Sequence, residues 1–302
     1  MPPETDAPEA SFGALRPRLL SIAYRMLGTM SEAEEVVQDA WIRFQQSLGS
    51  GIANVEAWLV SVTTRVAIDR LRSAKIEREH YAGVWLPEPL LLDTPATPEE
   101  SLEQAGQISL ALLLLLERLT PEARAAFLLR EAFDADYADI ARMLDKTEAN
   151  CRQLVKRARQ QLQDGQTRQQ VTPHEHRQLL VQFAQAAASG DFRRLRDTLS
   201  DGATLSGDGG GKVASVSRPL LGGQRVAQLL HANWLRFGAG MEFRLATIND
   251  RVGLLRFLGG KLESAMSFET EGGLISAIQV QRNPDKLARL AASLDAGATK
   301  GH

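Results

Sequence analysis

Apolar residues at Phe12, Leu15, Leu19, Ile22 and Met26 recur at helical spacing, and Ala33, Val36, Val37, Ala40, Trp41 and Phe44 repeat the pattern. The chain therefore opens with two amphipathic helices, each carrying one apolar stripe. Ser31 followed by Glu34 predicts a capping box at the start of the second helix, and Leu48 to Gly51 ends it. A third helix is expected from near Asn54 through Glu79. Between Tyr81 and Leu116 the sequence has no Lys, Arg or His, but it has five acids and four prolines, so the first part of this stretch reads as a linker. Helical patterning resumes at Ile108 and continues to Leu162, interrupted by the cap and first-turn pair Thr120-Pro121 and by Asp145. After Pro173 the pattern changes. One more helix, to about Ala188, is followed by Gly-rich turns and by the strand-like runs Phe243 to Ile248, Gly253 to Leu258, Ser264 to Glu269 and Leu274 to Gln281. The expected architecture is multidomain: two all-α domains at 10–79 and 106–165, a Pro-rich acidic linker at 80–105, and an α+β domain at 171–291, with the last boundary in the polar stretch Gln163 to Gln170.

Length and composition agree with several domains, since 302 residues with 44% hydrophobic content can bury more than one core. The net charge of -2 announces no nucleic-acid partner, so such evidence must come from local charge. The lone Cys151 excludes an internal disulfide framework and a Cys-rich zinc site. The start of the chain lacks the pattern of a secretory signal, and the run from Ile108 to Leu116 is far shorter than the roughly 20 residues needed to cross a bilayer. A cytoplasmic protein with no membrane partner is expected. His174 and His176, with no acidic or Cys cluster nearby, read as an exposed helix start, so neither a metal nor a cofactor is expected.

The strongest local signal runs from Tyr137 to Leu162. Tyr137, Ile140, Ala141 and Leu144 share the apolar face of a short helix, Asp145 suits a left-handed turn, and Thr147 can cap a second helix. This is the grammar of a helix-turn-helix. On its second helix Cys151, Leu154, Val155, Ala158 and Leu162 face inward, leaving Asn150, Arg152, Gln153, Lys156, Arg157 and Arg159 for base edges and phosphates. Seven basic residues stand against three acids from Arg142 to Arg168, a footprint that the whole-chain average conceals.

A second basic stretch, Arg65 to Arg78, holds five basic residues against two acids on one predicted helix. Alone it is a solvated face; beside Trp41, Trp58 and a Gly-containing loop it can grip phosphates while aromatics hold unstacked bases. The second helix carries Glu32, Glu34, Glu35 and Asp39 with no basic residue before Arg43. First-turn acids suit the helix dipole, and the remainder suits docking on a basic protein surface.

Three segments resemble a known family. Arg18 to Phe44 is similar to sigma region two, Ala57 to Arg72 to its promoter-melting helix, and Leu116 to Arg159 to sigma region four of the extracytoplasmic-function sigma factors. More narrowly, WLPEP (Trp85, Leu86, Pro87, Glu88, Pro89), DGGGK (Asp208, Gly209, Gly210, Gly211, Lys212) and NPDKL (Asn283, Pro284, Asp285, Lys286, Leu287) resemble the subgroup with a fused SnoaL-like α+β cone, often called sigma factor J type. The sequence departs from the family pattern in the order of Pro121 to Arg124 and in Asp145, which stands where a turn Gly is usual. The resemblance implies two partners, core RNA polymerase and promoter DNA. It also implies clamp docking on Glu35, Gln38, Asp39 and Trp41. Capture of the minus 10 element would fall on the stretch from Leu48 to Asn54 with Arg65, Asp69, Arg70 and Arg72, and reading of the minus 35 element on the outer face of the helix-turn-helix. The three short motifs would form an interdomain regulatory set, the cone acting in cis.

Two other readings of the C-terminal domain remain open. Cones of this kind include enzymes that use a carboxylate or His as acid or base, and Asp208, His231 and Asp250 are available; an unidentified small-molecule ligand in the cone is equally compatible. The Gly-rich stretch is not a Walker A phosphate loop, because Ser206 and Val213 stand where Gly and Ser or Thr are required. A one-component repressor would account for the helix-turn-helix and the cone, but not for the region-two segment.

Overall fold

The computed structural model describes residues 6–48, 51–91, 108–163 and 171–299, so the expectations placed on 49–50, 92–107 and 164–170 lie outside the described residues. The chain divides into two compact units. One draws on 1–79, 96–108 and 112–166; the other on 80–95, 109–111 and 167–302.

The first unit is helical. α1 (Asp6–Leu27), α2 (Met30–Gln46) and α3 (Val55–Glu79) pack against one another. Leu19, Ile22 and Met26 of the first predicted stripe are fully buried in their seam, joined by Leu27, Met30 and Leu59, which lie outside the predicted stripes. α2 begins earlier than its sequence suggests. Its N-cap is Thr29, whose hydroxyl donates to Glu32, and Ser31 already lies within the helix. α4 (Leu110–Leu116), α5 (Pro121–Glu131), α6 (Tyr137–Leu144) and α7 (Glu148–Gln163) follow. Thr120 caps α5 by accepting from the Ala123 amide at 3.3 Å, with Pro121 in the first turn where its missing N–H costs nothing. α6 ends at Asp145 in the left-handed conformation (φ 52°, ψ 52°), and Thr147 accepts from the Asn150 amide at 3.2 Å to start α7. Cys151, Val155, Ala158 and Leu162 form the buried face of α7, as the pattern predicted.

One charged group inside this unit was not anticipated. Arg124, where the sequence departs from its family pattern, is only 3% exposed. Its Nε donates to the Leu116 carbonyl at 2.9 Å, and its Nη1 donates to the Met26 carbonyl at 2.6 Å and to Glu117 at 2.7 Å. Arg78 also pairs with Glu117 and donates to the Leu27 carbonyl at 2.8 Å. Two guanidiniums thus satisfy carbonyls in the last turn of α1, where the helix has no amides left to do so, and join α1 to α3, α4 and α5.

The second unit is α+β. α8 (Pro173–Ser189) starts with a full capping box between Thr172 and Glu175 and ends at Gly190 in the left-handed conformation. Then come α9 (Phe192–Asp197), β1 (Leu199–Asp208), the two-residue β2 (Leu220–Leu221) and α10 (Gly223–Phe237). β3 (Met241–Ile248), β4 (Arg251–Leu258), β5 (Lys261–Glu271) and β6 (Leu274–Gln281) complete one sheet, and α11 (Pro284–Thr299) closes the unit. The strand order is β2-β1-β6-β5-β4-β3, with β1 and β6 parallel and every other pair antiparallel. The four strands read from alternation are present; β1, which has Gly202 and Gly207 in its span, was not recognised. Alternation divides the sheet into two faces. Leu205, Leu254, Met266, Phe268, Ile278 and Val280 pack with Phe183 and Val226 of the helices on one face. Ile248, Leu255, Phe257 and Ala265 pack with Leu287 and Leu290 of α11 on the other, and Leu91 joins that second core.

Replacing Arg124 by Ala is expected to destabilise the helical unit by about 3–5 kcal/mol, the usual cost of removing one partner from a buried charge network. Urea unfolding followed by helical signal measures it. A loss below about 1 kcal/mol, the range of an exposed ion pair, would show that the network is not a structural tie.

Candidate functional site

The outer face of α7 presents a continuous polar surface: Asn150, Arg152, Gln153, Lys156, Arg157 and Arg159 are all exposed. Arg152 pairs with Glu148 at 2.6 Å and its guanidinium lies 5.1 Å from the Tyr137 ring centroid, with Arg130 near the same ring at 5.2 Å. Arg159 pairs with Glu131 at 2.5 Å. Ion pairs this exposed contribute little to stability, so a phosphate or base edge can replace them at small cost.

Of the residues expected to capture a single strand, Asn54, Arg65, Asp69, Arg70 and Arg72 lie along α3 or at its start, and Leu48 lies in the turn after α2. Asn54 caps α3 by accepting from the Ala57 amide at 2.9 Å. With Trp58 and Ile52 it lines a recess of about 310 Å³, whose other wall is Asp139, Arg142 and Met143 of the helix-turn-helix. Arg65 is exposed but already occupied. It donates to the Met143 carbonyl at 2.8 Å and the Arg142 carbonyl at 3.0 Å, so it serves as a positive cap for the last turn of α6. Arg72 bridges Asp69 at 2.9 Å and Glu122 at 2.5 Å. Arg70 pairs with Glu35 at 2.7 Å, joining a residue assigned to DNA with one assigned to polymerase. Glu35 and Gln38 are exposed and Asp39 is half-buried. Trp41, also half-buried, stands in an aromatic row with ring centroids 4.6 Å from Phe12 and 6.0 Å from Phe44, so part of it is core.

In the second unit the three short motifs meet at one buried carboxylate. Asp208, at the end of β1, is fully buried. It accepts from the Tyr81 hydroxyl at 2.7 Å, the Leu86 amide at 3.0 Å, the Gly210 amide at 2.9 Å, Gln281 at 3.3 Å and the Lys286 ammonium at 2.7 Å. Lys286 also donates to the Leu86 carbonyl at 2.6 Å and sits 4.3 Å from the Trp85 ring centroid, a desolvated cation over an indole. Gln281 reaches the Leu86 and Pro87 carbonyls at 3.3 and 3.2 Å, and Asn283 donates to the Tyr81 hydroxyl at 3.1 Å. Beyond this clasp, Leu90 and Asn249 exchange backbone and side-chain hydrogen bonds, Leu91 pairs with Ile248, and Glu88 is buried beside Arg289. Gly210 is left-handed (φ 62°), and a Cβ there would lie 2.4 Å from the Asn283 side chain, so the close approach of DGGGK to NPDKL needs glycine. Lys212 pairs with Asp285 at 2.6 Å on the exposed rim, away from the buried carboxylate. The described part of the expected linker, His80–Leu91, is therefore a docked segment of the second unit rather than a solvated tether.

Two family models match the chain, Sigma-70 region 2 over residues 12–76 and Sigma-70, region 4 over residues 109–162. The ECF RNA polymerase sigma factor SigJ of Mycobacterium tuberculosis is 36% identical over 248 residues, covering 81% of this chain and 79% of that protein. The chain belongs to the ECF sigma factors. The probable ECF sigma factor SigI of Mycobacterium tuberculosis is 29% identical over 97% of this chain and 99% of its own length. The crystal structure of SigJ is similar across both units, with a TM-score of 0.73 at 30% identity, covering 92% of this chain and 98% of that one. As a sigma factor, the chain works in transcription initiation with RNA polymerase and promoter DNA as partners. Among the described residues, no helix is long and apolar enough to cross a membrane.

The three acid–base candidates of the cone are not gathered in this sigma factor. Asp208 is committed to the clasp, Asp250 is an exposed turn residue between β3 and β4, and His231 lies on α10, stacked on Trp234 at 5.9 Å. His176, expected at an exposed helix start, is buried and bonded to the Val252 carbonyl at 2.9 Å. Sequence reading missed Tyr81, Gln281 and Asn249. Asn249 alone had a local signal, since an Asn between two strand-like runs suits the left-handed turn position it occupies (φ 59°).

Burial alone would raise the Asp208 carboxyl, but the Lys286 charge and the hydrogen bonds from Lys286, Leu86 and Tyr81 outweigh it and hold the group below the ordinary aspartate value. The Tyr81 hydroxyl is pushed up by burial and by its bond to Asp208. Ionised Asp208 and neutral Tyr81 therefore stabilise the clasp, fully above pH about 3.9 and below pH about 10 respectively. Protection of the Leu86 amide from hydrogen exchange should be flat between these limits, once intrinsic exchange rates are corrected for. It should fall as acid protonates Asp208 through its lowered value, and again as base passes the ordinary tyrosine range. Asp208→Asn should cost the clasp more than Lys286→Met, because the carboxylate keeps four other donors whereas the buried ammonium loses its counter-charge. Equal protection in both variants and the wild type would reject the clasp.

Proposed function

We propose that this sigma factor reads the minus 35 element with the outer face of α7 and captures the minus 10 element with Asn54, Arg65, Asp69, Arg70 and Arg72. It docks on core polymerase through Glu35, Gln38, Asp39 and Trp41, and its C-terminal domain regulates it in cis without catalysis. The observation that carries the cis reading is the convergence of WLPEP, DGGGK and NPDKL on the Asp208 carboxylate. The segment held there joins the region-two helix α3 to region four in the chain. Holding its first twelve residues, 80–91, on the C-terminal domain shortens the free connection and restricts the geometries that the two regions can adopt. The dispersal of Asp208, His231 and Asp250 supports the non-catalytic reading.

The polar face of α7 divides into roles. Arg152→Ala is expected to weaken binding to a cognate upstream duplex by about 1–3 kcal/mol and to relax base preference, whereas Lys156→Ala weakens all duplexes alike and reduces the salt slope by about one. Fluorescence anisotropy across a salt series separates the two, and identical, sequence-independent losses would reject the assignment.

The cis reading is tested by run-off transcription with core polymerase, comparing the full chain, Asp208→Asn, Lys286→Met and a chain cut after Gln170. At equal folding and abundance, each change should alter transcript yield several-fold while leaving core binding intact. A cut chain whose yield matches the full chain would show the C-terminal domain to be a passenger.

A further inference from the structure

Behind the strands that hold the clasp is a second feature. On the opposite face of the sheet, between it and α10, lies a cavity of about 240 Å³. Leu205, Val216, Leu229, Leu230 and Met266 make much of its wall apolar, and Asn233, Arg256 and Arg282 supply polar groups on its lining. The two guanidiniums share a single carboxylate: Arg256 and Arg282 both pair with Glu263, leaving the cluster one positive charge in excess. Arg282 further donates from Nη1 to the Ala214 carbonyl, but its Nε is buried and has no hydrogen-bond partner. A buried donor left unpaired costs about 1–3 kcal/mol, and a shift of the Arg282 side chain that brings its Nε to an acceptor in the cavity would recover that cost.

We propose that this cavity binds a small amphipathic monocarboxylate, its apolar body against Leu229, Leu230 and Met266 and its carboxylate on Arg282. The chemistry selects the class. The apolar wall excludes a small hydrophilic anion, and the excess positive charge disfavours an amine. The volume admits a molecule of about ten non-hydrogen atoms, smaller than the ligands that fill drug-sized sites of roughly 300–1,000 Å³.

The strands that line this cavity also hold the docked segment. Along β1, Gly207 faces the cavity and the next residue, Asp208, faces the clasp; at the end of β6, Val280 and Arg282 face the cavity while Gln281 between them bonds the Leu86 and Pro87 carbonyls. The Arg282 amide donates to the Asp208 carbonyl at 2.7 Å, so a shift of Arg282 toward a ligand acts on the residue that anchors the clasp. This consequence rests on the cis-regulatory reading of the clasp, whereas the binding site does not.

The test is calorimetric titration of the full chain with sodium octanoate, 1-octanol and octylamine. Saturable octanoate binding is expected, at least tenfold tighter than octanol, with no octylamine binding. Arg282→Gln should remove the tenfold advantage and leave octanol unchanged. Leu229→Trp, which fills the cavity, should abolish octanoate binding with the melting curve retained. If Arg282→Gln does not fold, the wild-type preference for octanoate over octanol and the Leu229→Trp variant still decide. No saturable octanoate binding, equal binding of octanol, or octanoate binding that survives Leu229→Trp would each overturn the site. Bound octanoate is also expected to change hydrogen exchange at the Leu86 amide, and binding without that change would overturn the coupling. Octanoate that binds but leaves transcription unchanged would count against the regulatory reading of the clasp and not against the site.

Discussion

A carboxylate with no solvent exposure is tolerable only if its surroundings supply the hydrogen bonds and the counter-charge that water would have given. At Asp208 those surroundings come from four parts of the chain: the turn after β1, the end of β6, the first turn of α11, and the segment that follows α3. None of the four alone satisfies the charge. The segment from Tyr81 to Leu86 is consequently held by electrostatics as well as by the packing of Leu86 and Leu90, both nearly fully buried. A stretch without a basic side chain of its own is well suited to this arrangement, because it brings backbone donors and acceptors and two aromatic rings, and lets the domain provide the cation.

The helical unit is organised by a different use of charge. Arg124 and Arg78 are spent inside the fold on the carbonyls at the end of α1, and Arg65 on those at the end of α6. Arg152, Arg157 and Lys156 remain on the outer face of α7. The same residue type thus serves as a helix cap in one place and stays exposed, free to meet a partner, in another, and burial distinguishes the two. An Arg with three oxygen acceptors and almost no exposure is a structural tie, whereas an Arg in an exposed pair with Glu148 can exchange partners. Arg65 lies between these cases: exposed along part of its length, yet occupied by two carbonyls of the helix-turn-helix, so strand capture by this residue requires α6 to release it.

Much of the fold was legible because it depends on local periodicity. The stripes of α1, α2 and α7, the cap at Thr120, the left-handed Asp145 and four of the six strands each follow from neighbouring residues. The places where reading failed depend on distant ones. Ser31 and Glu34 suggested the cap, but Thr29 and Glu32 form the same pattern, and the helix starts two residues sooner with Met30 buried at its first position. β1 was hidden because its pairing with β6 is parallel and comes from a strand about seventy residues away, which compensates for Gly202 and Gly207. His176 looked like surface because nothing in its sequence neighbourhood reveals that β4 runs past with a carbonyl to accept its proton.

The sequence by itself determined the helical front half, the helix-turn-helix, its basic face and the α+β class of the rest, since amphipathic spacing, capping residues and local charge act over one or two turns of chain. The family resemblance also marked three short motifs as an interdomain set, without naming the atoms that join them. Only the tertiary structure decided that Asp208 is buried among five hydrogen-bond donors, that residues 80–91 of the Pro-rich segment are docked, that Arg124 is bonded inside the fold, and that Arg65 is held by two carbonyls at the end of α6. Each of these depends on which distant atoms a charged or polar group meets, and for Asp208 and Arg124 also on its removal from water. Burial and partner identity arise from contacts more than a hundred residues apart for the Asp208 anchor and almost as far apart for Arg124, and no local pattern encodes them.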